Sequence, residues 1–122
     1  MNLLLDTHAL IWWDNDELPA PVVRRIQRAE RVFVSAVSAW EVAIKSALGK
    51  MTAKAAMADV LKDYGFCELP VHIRHAEMLR SLPSHHRDPF DRLLIAQAMV
   101  EDLVIVSVDR AFKRYKVAIV WD

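Results

Sequence analysis

Short apolar runs rich in branched residues alternate with stretches of helical period, and this alternation constrains the fold more than any other feature of the chain. "NLLLD" (2–6), "RVFVS" (31–35), "CELPV" (67–71), "LVIVSVD" (103–109) and "VAIVW" (117–121) read as strands. Between them, apolar residues recur every 3.6 positions. Helices are expected over 8–15, over 21–30 with Pro21 in its first turn, and from near Ser38 to a C-terminal cap at Gly49. Further helices fit 53–64, closed by Gly65, 73–82, closed before Pro83, and 89–101, opened by Asp88-Pro89. Such alternation favours an α/β fold, with a central, mostly parallel sheet and helices on both faces. Ligand sites in folds of this kind lie outside the carboxyl ends of the strands.

A length of 122 residues, without repeat, linker or charge block, predicts a single domain spanning 1–122. Apolar residues make up 54% and there are only two glycines and five prolines, which argues against disorder. The longest apolar run, Leu93 to Val100 broken by Gln97, is far shorter than the roughly 20 residues that cross a bilayer, so no membrane span is expected. "MNLLLDTHALIWWD" lacks the basic flank and cleavage site of a signal peptide and reads as the first core element. Cys67 is the single cysteine, which excludes an intrachain disulfide and fits a reducing cytoplasm; it reads as a buried small hydrophobe rather than a reactive thiol. The 16 basic and 16 acidic residues cancel, so nucleic-acid binding would need local patches or a bound metal.

Four acids from distant parts of the chain are expected at one edge of the sheet. Asp6 and Asp109 each end a strand, Glu41 falls in the first turn of the helix after the second strand, and Asp91 in the first turn of the helix opened by Pro89. Each also has a purely structural explanation. Ser38 and Glu41 have capping-box spacing, Asp88 and Asp91 suit the start of a helix, and Asp6 and Asp109 suit turns. Collected together, such carboxylates repel one another by several kcal/mol, so the edge needs a cation or shifted pKa values. Oxygen-only ligands suit Mg²⁺ or Mn²⁺, and a hard ion held by acids points to hydrolysis of a phosphodiester. No Cys/His spacing for zinc occurs; His72, His75, His85 and His86 read as surface or loop residues. No glycine-rich phosphate loop occurs either.

"LLLDTHALIWW", "VSAVSAWEVAIKSALGK", "LPSHHRDPFDRLLIAQA" and "VIVSVDRAFKRYKV" resemble, in order and over nearly the whole chain, the motifs of PIN-domain ribonucleases, specifically VapC-type toxins of prokaryotic toxin–antitoxin pairs. The resemblance implies that Asp6, Glu41, Asp91 and Asp109 form an acidic catalytic site, with Asp6, Asp91 and Asp109 as metal ligands for Mg²⁺ or Mn²⁺. It also implies an RNA substrate, a homodimer and a cognate antitoxin that blocks the site. Of the two acids in "DPFD", Asp91 matches the family's third acid and Asp88 reads as the helix cap and an outer-shell group. Ser107 stands where many relatives have Thr, and Thr7 offers a second hydroxyl beside Asp6.

Basic residues near the expected edge are candidates for the RNA backbone. Lys45 lies one turn after Glu41, Arg87 and Arg92 flank Asp91, and "RAFKRYK" (110–116) follows Asp109; solvated faces and an intrahelical ion pair are the plainer explanations. Trp12 and Trp13 point about 100° apart on a helix, so either one enters the core while the other is exposed and suits a partner groove, or both belong to the core; Trp40 is expected in the core. Two other readings remain open on sequence alone. Asp6 is the nucleophile of a phosphatase, although His8 stands where such enzymes carry an acid or Thr, or the acids are only caps and the chain is a non-catalytic binding module.

Overall fold

The computed structural model describes residues 1–51, 56–85 and 88–121. Five strands, β1 (Asn2–Leu5), β2 (Arg31–Ser35), β3 (Cys67–Leu69), β4 (Val104–Val106) and β5 (Ile119–Val120), form one sheet in the order β3-β2-β1-β4-β5. Every pairing is parallel. Helices α1 (Thr7–Asp14), α2 (Ala20–Arg28), α3 (Ala36–Ala47), α4 (Met57–Tyr64), α5 (Ile73–Met78) and α6 (Pro89–Glu101) cover it. The expected α/β architecture with helices on both faces is the one observed.

The central strand shows why both faces must be covered. Leu3, Leu4 and Leu5 are fully buried, yet successive side chains of a strand point to opposite faces. Leu3 and Leu5 pack with Leu10, Val22, Ile26 and Val60 from α1, α2 and α4. Leu4 packs on the other face with Val37 of α3 and Leu94, Ile95 and Ala98 of α6. Gln97, which interrupts the apolar run of α6, is buried as a polar tie. Its amide nitrogen donates to the Pro70 carbonyl, and its oxygen accepts from the Ser35 hydroxyl at the end of β2.

Several boundaries differ from those read in the sequence. The third helix starts at Ala36, because Ser35 ends β2 and caps it directly, its Oγ accepting from Val37 N–H. Ser38 is therefore a buried interior residue, Glu41 sits in the second turn, and no Ser38–Glu41 capping box forms. The expected helix over 73–82 becomes α5 followed by a 3₁₀ turn at Leu79–Ser81, since Leu82 precedes Pro83 and is driven extended (φ −80°, ψ 127°). Residues 53–55 of the expected fourth helix lie outside the described residues, and α4 begins at Met57.

Several side chains are placed differently as well. His75 is fully buried rather than superficial: its Nδ1 accepts from His72 N–H, and its Nε2 lies 2.7 Å from Glu101 Oε2. Trp40 is 54% exposed rather than in the core, because α3 turns that face outward, where the Phe90 ring meets it edge-on. Trp12 and Trp13 are both half-buried against the same core cluster, Trp12 on Trp121 and Trp13 on Tyr64 and Phe66, so neither is the outward-facing tryptophan. Cys67 is half-buried.

Because Leu4 is in contact with helices that close one whole face, Leu4→Ala is expected to cost about 2–5 kcal/mol. Urea unfolding with an unchanged m-value would report it; a loss below about 1 kcal/mol would mean that this face repacks easily.

Candidate functional site

The chain leaves β1 towards β2 on one side, whereas β4 is followed by β5 on the other, so the carboxyl ends of the adjacent strands β1 and β4 flank a topological switch point. Asp6 stands there. Its N–H donates to Val106 O (3.1 Å), prolonging the sheet ladder by one bond beyond β1, and its Oδ1 caps α1 by accepting from Ala9 N–H at 2.7 Å. Ser107, the residue after β4, hydrogen-bonds the Asp6 carboxylate and accepts from Asp109 N–H (3.0 Å). Asp109 in turn caps a short 3₁₀ helix, Arg110–Arg114, its Oδ1 accepting from Ala111 N–H. The strand itself ends at Val106, three residues before Asp109.

Burial is the largest influence on Asp6 and pushes its carboxyl above the ordinary 3.8; the Ser107 and Ala9 hydrogen bonds and His8 oppose this, and the Asp109 charge adds to it. Next to it, Thr7 links α1 to α3: its Oγ1 donates to Glu41 Oε1 at 2.6 Å and lies 3.0 Å from Ser38 Oγ. Glu41 is buried, and its other oxygen holds Lys45 Nζ at 2.5 Å. That bond, with the charges of Glu41, Asp88 and Asp91, outweighs partial burial and raises the Lys45 amine above its ordinary 10.5. Lys45 thus sits in the combined field of acids from α3 and α6.

At the start of α6, Asp88 is the cap, its Oδ1 accepting from Phe90 N–H (2.8 Å) and Asp91 N–H (3.2 Å), while Asp91 lies in the first turn. The guanidinium of Arg92 bonds the Pro83 and Leu82 carbonyls, tying the preceding loop to the helix. His85 is exposed and edge-on to Tyr115; His86 and Arg87 lie outside the described residues. The four basic residues of "RAFKRYK" are exposed, and Phe112 and Tyr115 anchor the segment in the core.

The acids therefore arrive as two groups, Asp6 with Asp109 through Ser107, and Glu41 with Lys45 facing Asp88 and Asp91, joined by the Asp6-Thr7 peptide and the Thr7–Glu41 bond. Among the described residues, no three His, Cys, Asp or Glu side chains are drawn together as a ready-made metal site. The donors are carboxylate and hydroxyl oxygens, the chemistry that a hard divalent cation prefers, and an acid buried beside a like charge is the group such a cation would relieve. Ser38, whose spacing to Glu41 suggests a cap, instead lies inside the helix with its hydroxyl beside that of Thr7.

A family model for the PIN domain matches residues 3–118. The chain belongs to the PIN-domain family. The solved structure of VapBC2 from Rickettsia felis bound to a DNA fragment from their promoter is similar over 100% of both chains, with a TM-score of 0.73 and 16% identity. DNA-bound VapBC from Salmonella typhimurium also has a TM-score of 0.73, with 20% identity over 100% of this chain and 99% of that one. FitAcB from Neisseria gonorrhoeae covers 96% of this chain and 95% of its own, with a TM-score of 0.66 and 19% identity. At these identities the likeness is one of fold. A comparison with curated proteins returns no match.

An acid whose pKa is raised on folding favours the folded state below its unfolded value, and that contribution is lost as the pH rises through the folded value. For this PIN domain, Asp6→Asn keeps the cap and removes the buried charge. Without added metal, its Tm should exceed that of the wild type by a margin that grows as the pH rises above the ordinary value of 3.8. Parallel Tm curves over that range would show that burial of Asp6 does not carry the cost described.

Proposed function

We propose that this PIN domain is a divalent-metal-dependent endoribonuclease and the toxin of a type II toxin–antitoxin pair. The observation that carries the reading is the buried Asp6 carboxylate at the β1/β4 switch point, beside Ser107 and Asp109. PIN domains are generally nucleases. The end-to-end fold likeness to VapBC complexes supports a cognate antitoxin as partner.

In this reading Asp6, Asp91 and Asp109 hold Mg²⁺ or Mn²⁺, with Glu41 supporting the site. The bound ion supplies charge stabilisation at the phosphate and assists ionisation of the attacking water. The chain's own groups do the positioning. Ser107 orients Asp6 and fixes the Asp109 backbone, and Thr7 holds Glu41 against the start of α1. Lys45, already within the field of Glu41, Asp88 and Asp91, keeps these acids from repelling one another and presents a cation to the RNA backbone. Asp88 fixes the start of α6 and so the place of Asp91; Arg92 holds the loop before it.

Self-association is supported by α3 and its C-terminal cap, where Trp40, Ile44 and Leu48, spaced four residues apart, are 54%, 36% and 64% exposed. A cytoplasmic location agrees with the single cysteine, and among the described residues no helix is long and apolar enough to cross a membrane.

Incubation of purified protein with a tRNA and ribosomal RNA panel should give discrete cuts with Mn²⁺ or Mg²⁺ and none with chelator. Asp6→Ala and Asp91→Ala should each reduce cleavage at least 100-fold while the far-ultraviolet spectrum stays folded. An Asp6→Ala protein that cleaves at the wild-type rate would dismiss the site. Leu48→Lys should shift the mass measured by light scattering from dimer to monomer; a monomeric wild type would remove the dimer from the proposal.

A further inference from the structure

Beside Asp109, outside the two acid groups, a cavity of about 370 Å³ opens between the carboxyl ends of β4 and β5 and the flank of α2. That volume is within the roughly 300–1,000 Å³ of ligand-sized clefts. Ser107 and Asp109 form one wall, Trp121 another, and Arg25, Arg110 and Lys113 the rest of the charged lining. Arg25 also lines a second hollow of about 460 Å³ further along α2, together with Arg24 and Arg28. Among the described residues, neither hollow has an acidic lining residue other than Asp109.

In a chain whose formal charge is zero, this is a marked segregation. Five cations from two elements, α2 and the 3₁₀ helix after Asp109, follow one flank from the switch point towards the N-terminus. Among the described residues, Arg24, Arg28, Arg110 and Lys113 make no ion pair or side-chain hydrogen bond, whereas Arg74 and Arg80 elsewhere pair with Glu101 and Glu77. The amine of Met1 at the far end is paired with Glu30. A row of cations leading to an indole beside a set of acids has the two parts that single-stranded nucleic acid requires: charges for successive phosphates and a flat ring for a base. An acidic polypeptide would use the cations but has no need of the ring.

We infer that this flank is a track for single-stranded RNA, in which the cavity beside Asp109 takes the nucleotide next to the scissile phosphate. Its base packs on Trp121, its phosphate meets Arg110 and Lys113, and Arg25, Arg24 and Arg28 follow the strand onward. The inference rests on the nuclease reading and adds to it the direction in which the substrate leaves the site.

Binding is separated from cleavage by working in chelator with a labelled single-stranded RNA of mixed sequence. Log affinity against log salt should fall with a slope of about −0.7 per phosphate contact, and the Arg110→Ala/Lys113→Ala variant should lose about 1.4 of that slope. Trp121→Ala should weaken binding about 5- to 150-fold, with Trp121→Phe recovering most of it. Arg80→Ala, an exposed arginine elsewhere, should change nothing. If Arg110→Ala/Lys113→Ala keeps the wild-type affinity and slope while metal- and Asp6-dependent cleavage persists, the track is wrong and the nuclease stands. If poly-glutamate displaces the RNA as effectively as unlabelled RNA does, the flank is a site for an acidic protein and the inference fails. A wild type that neither binds nor cuts RNA overturns both readings.

Discussion

The parallel pairing of β1 with a neighbour on each side governs the rest of this molecule. A central strand of three consecutive leucines, buried on both faces, leaves no lateral position for a polar side chain. Polar groups must therefore gather at the strand ends, and parallel strands put their carboxyl ends on one edge. The chain continues from β1 to one side and from β4 to the other, so the two ends stand beside a crevice. Asp6 is fixed at its rim by its own backbone bond to Val106, and Ser107 stands opposite as the first residue after β4.

The two acid groups built on that edge are balanced differently. Glu41 is buried but satisfied oxygen by oxygen, by the Thr7 hydroxyl and the Lys45 ammonium, so that its charge is offset within the protein. Asp6 has hydrogen bonds from neutral donors, Ser107 and the Ala9 amide, and for it burial prevails. Glu41 is thus balanced within the protein, whereas Asp6 carries a net cost of burial. Thr7 couples them, since it is next to Asp6 in the chain and bonded to Glu41 across 34 positions of sequence.

Outside the edge, charge is arranged rather than accumulated. The protein has no net field, yet α2 and the 3₁₀ helix after Asp109 place their cations on a common flank, while Phe112 and Tyr115 on the same 3₁₀ segment are buried and hold it in place. Within "RAFKRYK", buried Phe112 and Tyr115 alternate with exposed cations, so the segment is anchored on the core and charged towards solvent. The exposed stripe on α3 is a separate surface, set by a helix that spends its inner face on Val37, Ser38, Glu41 and Val42.

The sequence by itself determined the succession of strands and helices, the parallel sheet with two covered faces, and the use of Asp88 as a cap. Those features depend on local periodicity and on capping chemistry, both short-range. Only the tertiary structure decided that Ser35 rather than Ser38 caps α3, because the limit of β2 is set by its pairing with β1 and β3. It also buried His75 against Glu101 and turned Trp40 outward, since a residue's exposure depends on which neighbour its helix face meets. The division of the acids into two groups, and the lining of one cavity by Arg25, Arg110 and Lys113, join residues far apart in the chain. Such contacts follow from how the helices pack on the sheet, which no local pattern encodes.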